Sequence, residues 1–262
     1  MSSQACGQLI HLRRTQYQTL CVYQHGSIRQ LRVDEAAIQS AIDLNAPVHL
    51  QLPYTRAMMA MLLFQPPPTR VLILGLGGGD MVRYLQHHLT SVKLRSVEID
   101  PEVIAVARDY FSLPENRCEY IEDEAFHFIQ RDHHSYDSVL VDIYAGNNPP
   151  AMYRRWEFYL HCQRLLTPQG VLALNLITED ARLFRDIIYK VREIFGRLSL
   201  CLKVPGHKNV IVFAFKKKPA RTNRAGLLSY ALELSDQYDL DFSAQVEALF
   251  TTNPLNAGEL VL

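Results

Sequence analysis

Apolar positions change their spacing twice along this chain, and each change marks a boundary. From Gln8 to about Val33 they fall in short β-type runs, Gln8 to Leu12, Gln16 to Tyr23 and Ile28 to Val33, with a turn at His25-Gly26-Ser27 between the last two. This predicts a small antiparallel unit of hairpins. Leu52 to Phe64 reads as a helix with Leu52, Met59, Leu62 and Leu63 among its apolar positions, closed by Pro66-Pro67-Pro68. Proline has no amide hydrogen with which to extend a helix. Met58, Met59 and Met61 are expected in packing.

Beyond the prolines, unbroken apolar runs alternate with helical stretches. Val71 to Leu74, Leu94 to Ile99, Cys118 to Ile121, Ser138 to Val141 and Val171 to Leu176 read as strands. Between and after them, Asp80 to Leu89, Pro101 to Phe111, Ala125 to Gln130, Tyr153 to Leu166 and Ala181 to Phe195 read as helices. Strands that are apolar on both faces belong to a mostly parallel sheet covered on both sides, the doubly wound α/β class. Ser199 to Val204 and Val210 to Phe215 predict an antiparallel hairpin at the sheet edge, and Arg224 to Leu249 an appended helical pair. The expected division is a small antiparallel β domain over 1–52, a nucleotide-binding domain over 53–220 and a helical extension over 221–262.

Composition narrows the partners. The 262 residues carry 27 Lys and Arg against 27 Asp and Glu and are 48% hydrophobic, enough for a sizeable core and with no net charge to attract a phosphate backbone. The basic run Lys216 to Lys218, with Arg221 and Arg224, is expected to be a solvated strand end and linker, so no nucleic acid is expected. Five cysteines without a CxxC pair argue against a disulfide framework or a zinc site. His87-His88 and His133-His134 are expected at the surface, and no metal is expected. No apolar stretch reaches the roughly 18 residues of a membrane span, and the first twenty residues lack a basic segment leading into an apolar one. A cytoplasmic protein without membrane contact is the expectation.

Candidate chemistry gathers where the predicted strands end. Gly75-Leu76-Gly77-Gly78-Gly79-Asp80 follows the first strand of the alternating region and opens its first helix, where glycines let backbone approach a ligand and the helix end adds partial positive charge. Glu98 ends the next strand about 20 residues on, the spacing at which a carboxylate accepts both hydroxyls of a ribose. Glu122-Asp123-Glu124 follows the third strand and Asp142 the fourth; Asp123 and Glu124 could equally cap the next helix. The loop departs from the GxGxxG pattern of dinucleotide sites, and GxGGGD followed by Val-Glu-Ile-Asp looks like the S-adenosylmethionine-binding class of this fold.

Taken together, Val71 to Asp80 (VLILGLGGGD), Val97 to Asp100 (VEID), Tyr136 to Asp142 (YDSVLVD), Glu157 to Gly170 (EFYLHCQRLLTPQG) and Leu31 to Ser40 (LRVDEAAIQS) resemble the polyamine aminopropyltransferases, the spermidine synthase family. The resemblance spans roughly residues 17 to 215. It implies a Rossmann-like transferase fold, decarboxylated S-adenosylmethionine as co-substrate, an amine acceptor, methylthioadenosine as by-product and a homodimer. By position, Gln39 and Glu98 would hold the methionine-like part and the ribose, Asp123 or Glu124 the adenine, and Pro149 would line the adenine pocket. Gly75, Gly77 and Gly78 would form the nucleotide loop. Asp80 would meet the amino end of the transferred group or the acceptor, Tyr54 and Tyr144 would bind the acceptor, and Asp142 would accept its proton. The acceptor half departs from the family: Ala145 replaces a second aspartate, Thr55 replaces a histidine, and the loop after Pro205 offers His207 and Lys208 in place of aromatic residues. Two other readings share the nucleotide half, a methyltransferase using S-adenosylmethionine itself and a catalytically inactive nucleotide-binding homologue.

Overall fold

The computed structural model describes residues 7–34, 37–143 and 149–262. Strands β1 (Gln8–Arg14), β2 (Thr19–His25), β3 (Ile28–Val33) and β4 (Ala37–Asp43) form a four-stranded antiparallel sheet in chain order. Leu20, Val22, Leu31, Val33 and Ile42 bury one face of it against Val103, Val106 and Phe111. The hydrophobic pattern predicts three of these strands and misses β4, whose AIQSAID sequence pairs with β3 through a bulge between Leu31 and Arg32.

The main sheet is built from β5 (Arg70–Leu74), β6 (Lys93–Glu98), β7 (Cys118–Glu122), β8 (Tyr136–Val141), β9 (Leu166–Ile177), β10 (Ser199–Lys203) and β11 (Asn209–Phe215), in the order β10-β11-β9-β8-β5-β6-β7. β5 to β9 run parallel, and β11 pairs antiparallel with both neighbours. The wholly apolar runs are explained by alternation between two cores. Val71 and Ile73 of β5 face one core with Leu85 and Phe213, while Leu72 and Leu74 face the other with Phe128 and Phe158.

Helices α1 (Pro53–Met58), α2 (Asp80–His88), α7 (Arg224–Tyr238) and α8 (Phe242–Thr252) serve the first core, and α4 (Ala125–Arg131), α5 (Trp156–Leu165) and α6 (Ala181–Ile194) the second. Helix α3 (Pro101–Tyr110) joins the small sheet to the large one. Asp100 caps it through Glu102 N–H and also accepts from Thr15 Oγ1 at 2.8 Å, tying the two sheets together.

Three local expectations are corrected. The predicted helix over 52–64 tightens after α1 to a 3-10 segment at Met59–Leu63, and Met58 at the end of α1 and Met59 and Met61 in that segment are fully buried. The predicted helix over 153–166 is interrupted by extended backbone at Arg155, which separates a 3-10 turn at Ala151–Arg154 from α5. His88 is half-buried with its ring 4.5 Å from that of Tyr84, so it is a packing residue rather than a surface one. In the late basic run, Lys216 Nζ donates to Leu166 O, Arg221 stacks on Tyr230, and Arg224 pairs with Glu247.

Candidate active site

Strand order reverses between β5 and β8, because β6 and β7 continue to one side and β9 to the other. A doubly wound sheet opens a crevice at the carboxyl ends of its strands at this point. Here the crevice is a cavity of about 950 Å³, roofed by Tyr17, Gln18, Ile38 and Gln39 of the small sheet. The chain crossing is tight. Gly75 N–H donates to Val97 O and Asp142 N–H to Leu74 O, and a Cβ on Gly75, whose φ is 93°, would overlap the Asp142 carbonyl. Gly75 is thus required where β5 and β8 diverge.

Nine of the twelve site residues expected from sequence line this cavity: Gln39, Tyr54, Gly75, Gly77, Glu98, Asp123, Glu124, Asp142 and Pro149. Gly78 and Asp80 do not. A Cβ on Gly78 would collide with Ser40, so its glycine serves the packing of the small sheet on the loop. Asp80 Oδ1 accepts from Ser40 Oγ and from Arg83 Nη2 at 2.7 Å, both partners buried. Arg83 also donates to the carbonyls of Pro47, Gly78 and Phe111, which makes this network the bolt between the glycine loop and the small sheet. Tyr144 and Ala145 lie outside the described residues.

The nucleotide half is organised by backbone amides. Glu98 accepts from Leu76 N–H at 3.0 Å and Asp100 N–H at 3.1 Å, which fixes its carboxylate at the end of β6. Burial pushes its pKa up, against those two amides. Glu124 caps α4 through the N–H groups of Phe126 and His127, while Asp123 pairs with Arg131 and accepts from Glu124 N–H.

The other half centres on Asp142. Its Oδ1 accepts from Asn175 Nδ2 at 2.8 Å, and Asn175 Oδ1 accepts from Asn209 Nδ2 at 2.9 Å. The Tyr54 hydroxyl donates to Gln39 O at 3.0 Å and also reaches the Asp142 carboxylate. Burial raises the Asp142 pKa to about 6, the Asn175 hydrogen bond and the nearby Tyr54 hydroxyl holding it down and the Asp80 charge adding to the rise. Tyr54 is held well above its ordinary value, first by burial and then by the negative charges of Asp142 and Asp80. Asn175 and Asn209 are absent from the sequence reading, although an asparagine inside VLALNLI is itself a signal, since a polar side chain within a buried strand needs a partner.

Among the described residues the cavity is lined by five carboxylates, Asp34, Glu98, Asp123, Glu124 and Asp142, and by no lysine or arginine. No group of three or more His, Cys, Asp or Glu among them is placed to hold a metal ion.

Fold and site define a Rossmann-like α/β protein with an acidic cleft at its switch point. A family model described as the spermine/spermidine synthase domain matches residues 51–224, and the chain belongs to that family. It is 34% identical over 243 residues to the polyamine aminopropyltransferase of Chromobacterium violaceum, covering 92% of this chain and 93% of that protein. A probable spermidine synthase from Corynebacterium glutamicum superposes with a TM-score of 0.74 at 21% identity, covering 85% of this chain and 86% of that one. A spermidine synthase in complex with the transition-state analogue AdoDATO superposes with a TM-score of 0.70 at 17% identity, covering 95% and 84%.

Proposed function

We propose that the protein is an aminopropyltransferase that moves the aminopropyl group of decarboxylated S-adenosylmethionine onto an amine and releases methylthioadenosine. The observation that carries this reading is the Asp142 carboxylate, raised to about 6 at the switch point of a cavity that, among the described residues, has five carboxylates and no lysine or arginine. Such a lining favours a sulfonium and an amine over anionic ligands. In this reading Glu98 takes the ribose hydroxyls, Asp123 with Pro149 the adenine, and Gln39 with Gly75 and Gly77 the sulfonium-bearing chain.

The chemistry asked of the protein is modest. The amine nitrogen forms a bond to the carbon next to sulfur, the carbon–sulfur bond breaks, and its electron pair stays on sulfur as a neutral thioether. The cavity holds the two reactants in line. Asp142 takes the proton lost by the nitrogen, and a carboxylate near 6 is ionised at neutral pH yet more basic than an ordinary aspartate. Asn175 and Tyr54 orient that carboxylate from two sides. Tyr54, Asn175 and Asn209 would border the acceptor. The protein works in this reading as a cytoplasmic homodimer.

The test is incubation with decarboxylated S-adenosylmethionine and a panel of monoamines, diamines and polyamines, followed by chromatography for methylthioadenosine. Release that depends on an amine supports the reading. Release of S-adenosylhomocysteine from S-adenosylmethionine, with no methylthioadenosine, replaces it by a methyltransferase, and binding without turnover of either nucleotide replaces it by an inactive homologue.

A further inference from the structure

A second cavity, of about 530 Å³, lies behind the first, between α1, strand β10 and the turn from α7 to α8. Its apolar wall includes Leu50, Leu202, Val204 and Leu240, and its polar lining includes His49, Arg56, Asp239, Asp241 and Gln245. Gln245 is nine-tenths buried; its Nε2 donates to Arg56 O at 2.8 Å, and its Oε1 has no partner among the described residues. A buried carbonyl oxygen without a donor is uncommon in a folded protein and asks for an N–H or O–H.

The charged groups favour a cation as that donor. Arg56 is engaged by the chain itself, its Nε donating to Leu50 O at 2.6 Å and its Nη2 to Gln51 O at 3.2 Å. His49 Nε2 sits 2.9 Å from Asp239 Oδ2, and Asp241 Oδ1 accepts from Ala244 N–H at 2.9 Å as the cap of α8. Each of these bonds uses one oxygen of its carboxylate and leaves the second for a ligand. Two aspartates stand against one guanidinium, whose N–H groups are taken up by the carbonyls of Leu50 and Gln51, and one imidazole at Asp239, so the oxygens left open above the aliphatic floor are acceptors.

We propose that this cavity is a binding site for a small alkylammonium compound, its ammonium held by oxygens of Asp239, Asp241 and Gln245 and its hydrocarbon laid against Leu50, Leu202 and Val204. The proposal does not depend on the chemistry of the first cavity, although Pro53 lines both.

The test is thermal unfolding and calorimetry of the full chain with hexylammonium chloride, and with sodium hexanoate at the same concentration and ionic strength. Hexylammonium should raise the unfolding temperature of the parent protein and of Asp142→Asn alike, and hexanoate should not. In the Asp142→Asn background, which removes the amine's candidate partner in the first cavity, Gln245→Leu should weaken hexylammonium binding at least about ten-fold, the loss of one hydrogen bond to a charged donor, and Ala248→Phe, which fills the second cavity, should abolish it. An increment that vanishes in Asp142→Asn, persists when Ala248→Phe is added to it or is matched by hexanoate overturns the proposal. Should Ala248→Phe fail to fold, a crystal soaked in hexylammonium decides: density against Gln245 supports the site, and its absence there refutes it.

Discussion

Replacing Asp142 by asparagine should abolish aminopropyl transfer and, at neutral pH, make the protein more stable. The native pKa of this carboxyl is raised from an ordinary 3.8 to about 6, first through burial. Below the unfolded value of 3.8 both states are protonated and the side chain is neutral in the fold. As pH rises through about 6 the native carboxyl ionises inside the protein, later than in the unfolded chain, so stability is lost over this window and the loss is complete above it. The displacement corresponds to about 3 kcal/mol as an upper bound. Because the carboxylate still borders an open cavity, about 1 to 2 kcal/mol is the better expectation. An asparagine avoids this cost while keeping an oxygen for Asn175 Nδ2 and offering an N–H toward Tyr54. The unfolding temperature should therefore rise by about 3 to 6 °C near pH 8. Urea or thermal unfolding of both proteins between about pH 4 and about pH 8 reads the gap, which should be near zero at the acid end. A gap that is equal at both ends, or a variant less stable near pH 8, refutes the placement of a raised carboxyl at this position.

Three further outcomes check neighbouring parts of the site. Asn175→Leu removes a hydrogen bond that holds the Asp142 pKa down, so the acid limb of the kcat/KM profile should move to higher pH; an unmoved limb shows that the two side chains do not share a bond in solution. Gly75→Ala should cost more than about 2 kcal/mol in unfolding free energy, since the added methyl meets the Asp142 carbonyl at a positive φ; a mild effect refutes the tight crossing. Glu98→Gln should weaken methylthioadenosine binding by about ten-fold or more in calorimetry, through loss of a charged acceptor for the ribose, and unchanged affinity rules Glu98 out as the ribose ligand.

What could be read from sequence was what local chemistry dictates. Continuous apolar strands such as VLIL at Val71–Leu74 gave away a sheet with two covered faces, and glycine followed by a carboxylate at the next strand end gave away its crevice. Strand β4 was not legible because its two large apolar residues, Ile38 and Ile42, stand four apart, a spacing that fits a helix as well as a strand, and its pairing with β3 is set by a bulge, a tertiary event. The same limit hid Asn175 and Asn209, whose bonds to Asp142 and to each other join strands distant in sequence.

The acceptor half shows why family motifs alone mislead in detail. Thr55, conspicuous as the replacement of a histidine, is 1% exposed and donates to Leu52 O at 2.8 Å, so it finishes the first turn of α1 and leaves Tyr54 as the side chain of this pair that reaches the cavity. Asp80, motif-perfect by spacing, has its Oδ1 bonded to Ser40 and Arg83 beneath the loop. Its charge is still felt by Asp142 and Tyr54, both of whose pKa values it helps to raise. A residue expected from its motif to meet the amine thus acts through the field on Asp142, the base of the proposed reaction, and its buried partner Arg83 lies outside the motif. Electrostatic influence without contact follows from low local polarisability around a charge that cannot reach water, so the proton affinity of Asp142 depends on a carboxylate that does not touch it.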